Sequence, residues 1–177
     1  MVVHDHFLTP TARYADIVGR VTDGLDYVLR TAIRRHGDQL FVVDHANNDE
    51  IKLGAQAVFI LTILKFTELS RDARYLPVAQ AIAQGIVARF QNPLDGSFVH
   101  VLDGASLEIK DPFRIVFYDG EATLALLRLY AVDGNASWLN AAREAFERFI
   151  DTEHWRHHDH WLAYCTNEIT PHLPEEP

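Results

Sequence analysis

An internal repeat constrains the fold of this chain more than any other feature. Residues 63–87, ILKFTELSRDARYLPVAQAIAQGIV, align without a gap over residues 126–150, LLRLYAVDGNASWLNAAREAFERFI, at an offset of 63 residues. An aromatic-Leu pair follows the turn in both copies, Tyr75-Leu76 in the first and Trp138-Leu139 in the second. A repeat of this length indicates one supersecondary unit that is used more than once and packs against its neighbours.

Each copy has the pattern of two helices joined by a short turn. Apolar residues such as Ile60, Ile63 and Leu64 recur three and four positions apart, which is the period of an amphipathic helix. The turns SRDAR and DGNAS are rich in residues that favour turns and cap the next helix. A partial copy at residues 13–30 and the segment WLAYCTNEI at 161–169 each predict one more helix. The sequence therefore predicts an all-α fold of about six helices, arranged as antiparallel hairpins.

Long segments link the second helix of one pair to the first helix of the next. They are QLFVVDHANNDE, DGSFVHVLDGASLEIKDPFRIVFYDGE and TEHWRHHDHW. The middle link is long enough for a small β-hairpin, in which we expect FVHVL at 98–102 to pair with RIVFY at 114–118. Links of this length in compact domains are commonly functional.

Composition indicates a single globular domain over residues 1–177, with residues 1–12 as a candidate disordered tail. The net charge is −9 and no run of basic residues is present, which argues against a nucleic-acid or anionic-membrane surface. The longest apolar stretch, Ala55 to Leu64, is too short to span a bilayer, and the first residues do not resemble a signal peptide. We therefore expect a cytoplasmic protein. The single cysteine, Cys165, excludes an internal disulfide and a Cys-based zinc site, and we expect no cofactor.

The repeat resembles the helix hairpins of the α/α-toroid proteins, the six-hairpin glycosidase-like superfamily. The resemblance rests on residues 118–150, where a Gly-Glu-Ala entry precedes an apolar helix, a Gly-containing turn, an aromatic-Leu pair and an Ala-rich helix. Residues 47–66, NNDEIKLGAQAVFILTILKF, are similar to the entry of the preceding hairpin, where relatives often carry an Arg-His-Ala-Gly-like run. Here that run reads Lys-Leu-Gly-Ala, so the usual His is absent. The resemblance implies an incomplete α/α toroid or arc of about half a ring.

That superfamily includes glycoside hydrolases, polysaccharide lyases, sugar epimerases and lanthionine cyclases, and the cysteines that the last of these need are missing here. The resemblance implies that the loops entering the inner helices gather at one mouth and hold a saccharide. Carboxylates are stabilised at helix N-termini, and a pair about 5–10 Å apart suits glycoside hydrolysis. The candidate catalytic residues are Asp119, Glu121 and Asp159, and the candidate substrate-binding residues are Asp49, His160, Trp161 and Tyr118.

These candidates also have structural interpretations. Asp119 with Glu121, and Asp49 with Glu50, are residue types that commonly cap helices, and aromatic residues at helix starts commonly pack between hairpins. The cluster at 157–160, which reads His-His-Asp-His, is open to a metal, an acid-base or a structural role. A metal is disfavoured because residues adjacent in sequence rarely converge on one point, and the second cluster, His4, Asp5 and His6, carries little information at the chain start.

Two functional hypotheses follow from these features. The first is a carbohydrate-active or saccharide-binding domain, an enzyme in the glycosidase-like case, with a saccharide as its ligand. The second is a non-catalytic helical module in which the same residues are caps. In either case an open arc needs a partner at its exposed ends, so we expect a homo-oligomer or packing on other domains of a longer protein.

Overall fold

The computed structural model describes residues 12–173, and the all-α prediction is confirmed within this range. The expected tail, except Ala12, and the cluster His4, Asp5 and His6 lie outside the described residues. The helices are α1 (Ala12–Thr31), α2 (Leu53–Ser70), α3 (Leu76–Gly85), α4 (Phe117–Asp133), α5 (Ala136–Asp151) and α6 (Trp161–Ile169). A single π-helical turn, Ile86–Phe90, continues α3. Both predicted hairpins are present, as α2 with α3 and as α4 with α5.

Helix α4 is the centre of the arrangement. It packs against α2 on one side, α6 on the other and α5 behind, while α2 packs against α1 and α3. About half of the residues of α2 and of α4 are buried, and in α4 the six consecutive residues 122–127 are buried on all sides of the helix, as expected for a helix enclosed by neighbours. By length and composition alone α2 is apolar enough to cross a membrane, but half of it is buried in the protein core. The result is a two-layer arc with α2, α4 and α6 side by side.

The aromatic-Leu pairs of the repeat occupy equivalent packing positions. Tyr75 and Trp138 are both buried, each next to the start of the second helix of its hairpin. Their polar atoms are also satisfied, because the Tyr75 hydroxyl donates to Asp26 at 2.6 Å and the Trp138 indole donates to Asp133 at 3.1 Å. Asn135 caps α5 by accepting a hydrogen bond from the Ser137 backbone N–H.

Short strands occupy two of the three links. Strands β1 (Ile33–His36) and β2 (Gln39–Val42) form an antiparallel hairpin that the sequence analysis did not predict. Strands β3 (Glu50–Lys52), β4 (Val101–Asp103) and β5 (Ile109–Asp111) form a second antiparallel sheet in that order. This sheet joins the link before α2 to the link before α4, and the Leu53 backbone N–H donates to the His100 carbonyl at 2.9 Å. The N-terminal ends of α2 and α4 are therefore held next to each other.

The small β-hairpin is confirmed in the middle link, but its predicted second strand is wrong. β4 pairs with residues 109–111 rather than with residues 114–118, and Phe117 and Tyr118 begin α4 instead. The reason lies in the turn after β4. One carboxylate oxygen of Asp103 accepts hydrogen bonds from the backbone N–H groups of Ala105 and Ser106, so the chain reverses early.

Candidate functional site

Two glycines bring the helix starts into close contact. A Cβ atom at Gly54, in α2, would lie 2.5 Å from the Tyr118 ring and 2.6 Å from Glu121 Oε2. A Cβ atom at Gly120, in α4, would lie 2.4 Å from Asp159 Oδ2 and 2.7 Å from the Trp161 Cβ. Only glycine fits such approaches without displacement of its neighbours. Six of the seven predicted site residues lie around the start of α4: Tyr118, Asp119, Glu121, Asp159, His160 and Trp161.

Glu121 is a partly buried carboxyl group that has no cationic partner among the described residues. Burial raises its pKa to about 7, and the negative charge of Asp159 adds to this rise. No hydrogen bond or ion pair within the described residues opposes these two effects. Glu121 is therefore protonated in a large fraction of molecules at neutral pH, as a proton donor must be.

Asp159 is the charged neighbour of Glu121, and its side chain is completely buried. Oδ1 accepts a hydrogen bond from the Trp161 backbone N–H at 2.9 Å, which is a capping contact at the start of α6. Oδ2 has no hydrogen-bond partner within residues 12–173 and lies 3.7 Å from His154 Nε2, too far for a hydrogen bond. Asp159 raises the pKa of His154, and the charge of Asp119 acts in the same direction. Capping thus accounts for one oxygen of Asp159 and leaves the other to act through its charge.

Asp119 is held by a histidine that the sequence analysis missed. His100 is fully buried, and its Nδ1 accepts hydrogen bonds from the Arg114 and Ile115 backbone N–H groups at 2.8 and 3.1 Å. Because Nδ1 is an acceptor, the ring proton sits on Nε2, which donates to Asp119 Oδ1 at 3.2 Å. Asp119 does not cap α4, since Val116 precedes the helix without a side-chain cap. A lone histidine between apolar residues gives no sequence signal of this contact.

Aromatic side chains line the mouth beside these carboxyl groups. Phe117, at the start of α4, lies 5.5 Å from the His160 ring, which lies 5.1 Å from Trp161. Trp161 in turn lies 6.1 Å from Tyr164, whose side chain is more than half exposed. Tyr118 lies over Gly54 on the other side of α4. The aromatic row consists of Phe117, His160, Trp161 and Tyr164.

Asp49 and Glu50 are held by two sets of ion pairs that share no residue. Asp49 is bonded to Arg34 at 2.9 Å and to His45 at 2.6 Å. The Glu50 carboxylate accepts hydrogen bonds from Arg114 at 2.6 and 3.2 Å and forms an ion pair with Lys110 at 3.0 Å. These two cations lower the pKa of Glu50 to about 2. Neither residue caps α2, because the residue that precedes this helix is Lys52, and the Lys52 side chain makes no capping hydrogen bond. The capping interpretation of this pair is therefore wrong.

The cluster at 157–160 does not converge on one point. His158 adopts a left-handed backbone conformation with φ 54°, which turns the chain between its neighbours. His157 lies against His154, while His160 joins the aromatic row. Within the part of the chain that the structure describes, no group of three or more His, Cys, Asp or Glu residues is placed to hold a metal ion. Cys165 is buried as predicted, and burial raises the pKa of its thiol above the ordinary range.

Comparison with known proteins shows similarity in structure only. Endoglucanase Cel10, a family 8 glycosyl hydrolase from Klebsiella pneumoniae, matches with a TM-score of 0.58 and 15% identity, over 73% of this chain and 39% of that chain. A family 76 glycoside hydrolase from a bovine Bacteroides thetaiotaomicron strain matches with a TM-score of 0.61 and 16% identity, over 77% and 30%. No protein-family model matches the sequence, and no curated protein matches it.

The fold is a partial α/α toroid. The chain spans less than two fifths of the length of either solved structure, in agreement with an arc of about half a ring. At this level of identity the similarity establishes the fold alone, and the chemistry of the mouth depends on the residues that this chain places there.

Proposed function

We propose that this chain is a carbohydrate-active domain of the six-hairpin glycosidase-like superfamily, and that a saccharide binds at the N-terminal ends of α2, α4 and α6. The observation that carries the proposal is Glu121, a carboxyl group whose pKa is raised to about 7 near the start of α4. The first residue of the same helix, Phe117, begins the exposed aromatic row. Aromatic faces stack on the C–H faces of sugar rings, and carboxyl groups bind their hydroxyls. The fold of two glycoside hydrolases supports the same class of ligand.

The chemistry that suits these residues is hydrolysis of a glycosidic bond. Protonated Glu121 donates its proton to the glycosidic oxygen as the bond from that oxygen to the anomeric carbon breaks. Asp119, held as an acceptor by His100, takes a proton from the water that adds to the anomeric carbon. Asp159 is completely buried and does not reach the substrate, so its role is to keep the proton on Glu121 through its charge.

Hydrolysis and binding are tested together on the purified full chain. The probes are glucose and mannose oligosaccharides of two to four rings, with reducing ends measured after incubation and affinity measured by calorimetry. We expect Glu121→Gln to lower turnover by about 10²- to 10⁴-fold with little change in affinity. Glu68→Gln is the matched control, because Glu68 is an exposed Glu on α2. The rate should also fall above pH 7 as Glu121 loses its proton.

Three outcomes separate the two functional hypotheses. Turnover that depends on Glu121 supports the proposal as stated. Saturable binding without turnover by the unmodified chain would reduce it to a saccharide-binding domain. If the unmodified chain shows no binding and no turnover, the proposal is overturned. The helical module is then the remaining hypothesis, with the proposed homo-oligomer or domain partner covering the open ends of the arc.

A further inference from the structure

A cavity of about 270 Å³ lies beside α4, on the side of Asp119. Phe98 and Phe113 from the link before α4 form one wall, and Phe149 at the end of α5 forms another. His154 and His157 complete the lining around Asp119. Glu121 and the aromatic row are not among the lining residues, so the cavity is a second compartment of the mouth.

The size and walls of the cavity suit one sugar ring. Pockets for larger organic ligands measure about 300–1,000 Å³, so this cavity is at the lower limit of that class. Phe98 and Phe149 are buried and give it an apolar floor. The Phe113 ring is 60% exposed, and contact with the His100 ring at 4.8 Å holds it in place. An exposed aromatic face of this kind offers a stacking surface at the entrance.

Asp119 presents a hydrogen-bond acceptor to the cavity. His100 donates to Oδ1, so Oδ2 is left, and its two lone pairs can accept one hydrogen bond from a ligand hydroxyl and one from the attacking water. His154 lies between the charges of Asp119 and Asp159, which raise its pKa. Arg148, the one Lys or Arg residue in the described cavity lining, is paired with Asp95 at 3.3 Å. With its charges balanced in this way, the cavity favours a neutral polyhydroxyl group over an anion.

We propose that this cavity is a second sugar-ring subsite, where Phe113 stacks on a neutral pyranose ring and Asp119 accepts a hydrogen bond from one of its hydroxyl groups. The ligand of the chain is then at least a disaccharide that crosses the first turn of α4, with one ring on each side of Gly120. This inference rests on the proposed function, because Asp119 and Glu121 would contact neighbouring rings of the same saccharide.

The test compares oligosaccharides of increasing length with variants that change only the cavity. Affinities of the full chain for glucose, cellobiose and cellotriose, and for the corresponding mannose series, are measured by calorimetry. Phe113→Ala removes the stacking ring, and Ser97→Trp fills the cavity from its edge. Tyr27→Ala is the matched control, because Tyr27 is 61% exposed on α1 and is not among the cavity residues.

In the unmodified chain and in Tyr27→Ala, we expect a disaccharide to bind at least tenfold more tightly than a monosaccharide. Both cavity variants should lose this difference and bind disaccharides no better than monosaccharides, with the affinity for monosaccharides unchanged. If two rings bind no better than one, or if the cavity variants keep the difference, the second subsite is overturned while the proposed function stands. If no sugar binds the unmodified chain, the proposed function fails and the subsite fails with it.

Discussion

Two glutamates at the same end of the fold have opposite electrostatic environments. Glu50 contacts Arg114 and Lys110, with Lys52 3.7 Å away, and these cations lower its pKa to about 2. Glu121 has no cationic partner in the described part of the chain, and burial raises its pKa to about 7. The positive charges of Lys110 and Arg114 thus hold the three-stranded sheet together, while burial and the charge of Asp159 act on Glu121 with no cation among the described residues to oppose them. The comparison separates a structural network from a candidate site.

The largest expected effect comes from the structural side of this comparison. Arg114→Met leaves Glu50 buried with Lys110 as its main partner, and we expect the free energy of unfolding to fall by about 2–4 kcal/mol. Arg20→Met is the control, because its ion pair with Asp16 is exposed and is worth less than about 1 kcal/mol. Urea denaturation measures both. Equal effects of the two variants would contradict a structural role for the Glu50 network.

The second effect comes from the candidate site and has the opposite sign. A carboxyl group with a raised pKa in the folded state costs stability as the pH rises from the unfolded value of 4.5 through about 7. Glu121→Gln removes that cost and should stabilise the protein at pH 8 relative to pH 4.5, by up to about 3 kcal/mol. Denaturation at both pH values measures the change, with Glu68→Gln as the control. A pH-independent difference would show that Glu121 titrates normally.

The contribution of Glu50 to stability has the opposite dependence on pH. A carboxyl group with a lowered pKa contributes stability above its unfolded value, and this stability is lost as the pH falls toward about 2. The loss caused by Glu50→Gln should therefore be greatest at neutral pH and shrink in acid. The same loss at pH 7 and pH 3 would be evidence against the pairing with Arg114 and Lys110.

A third effect tests the close packing of the helix starts. Gly120→Ala places a methyl group against Asp159 and Trp161, and we expect a loss of about 1–3 kcal/mol from overpacking. Gly24→Ala on α1 meets no atom within 4 Å and should instead stabilise by about 0.5–1 kcal/mol, as usual for a helical glycine. Thermal unfolding distinguishes the two signs. A stabilising Gly120→Ala would mean that α4 and α6 are not in close contact there.

The smallest effect concerns the His154–Asp159 pair. Asp159 and the charge of Asp119 both raise the pKa of His154, so its imidazole should titrate above 6.5 in an NMR titration. The stability that the pair contributes is present below pH 6.5 and is lost as the pH rises through the raised pKa. Asp159→Asn should move the His154 midpoint down. An unchanged midpoint would exclude Asp159 as the main cause.

The sequence predicted the fold well because the relevant signal is local and repeated. Helical periodicity and the aromatic-Leu pairs located both hairpins. Acidic and aromatic residues at helix starts predicted a set of site residues, most of which lie together around the start of α4; their function stays a prediction. The side chains of His100 and Asp49 each make their contacts within one link, where turns and strand pairing bring the partners together. The spacing of these partners follows no helix or strand period, so it leaves no pattern in the sequence. The approaches at Gly54 and Gly120 are equally hidden, because a glycine inside an apolar helix does not reveal which side chain lies against it.

Glu121, near the start of α4, is a carboxyl group whose pKa lies near neutral pH, and the proposed proton donor depends on this property. The most direct test is an NMR titration of the glutamate side-chain carboxyl carbons in the full chain, with Glu121→Gln and Glu50→Gln used for assignment. We predict that Glu121 titrates at about pH 7, while Glu50 stays ionised down to about pH 2. A Glu121 midpoint near 4.5 would contradict the claim and remove the proton donor on which the proposed hydrolysis depends.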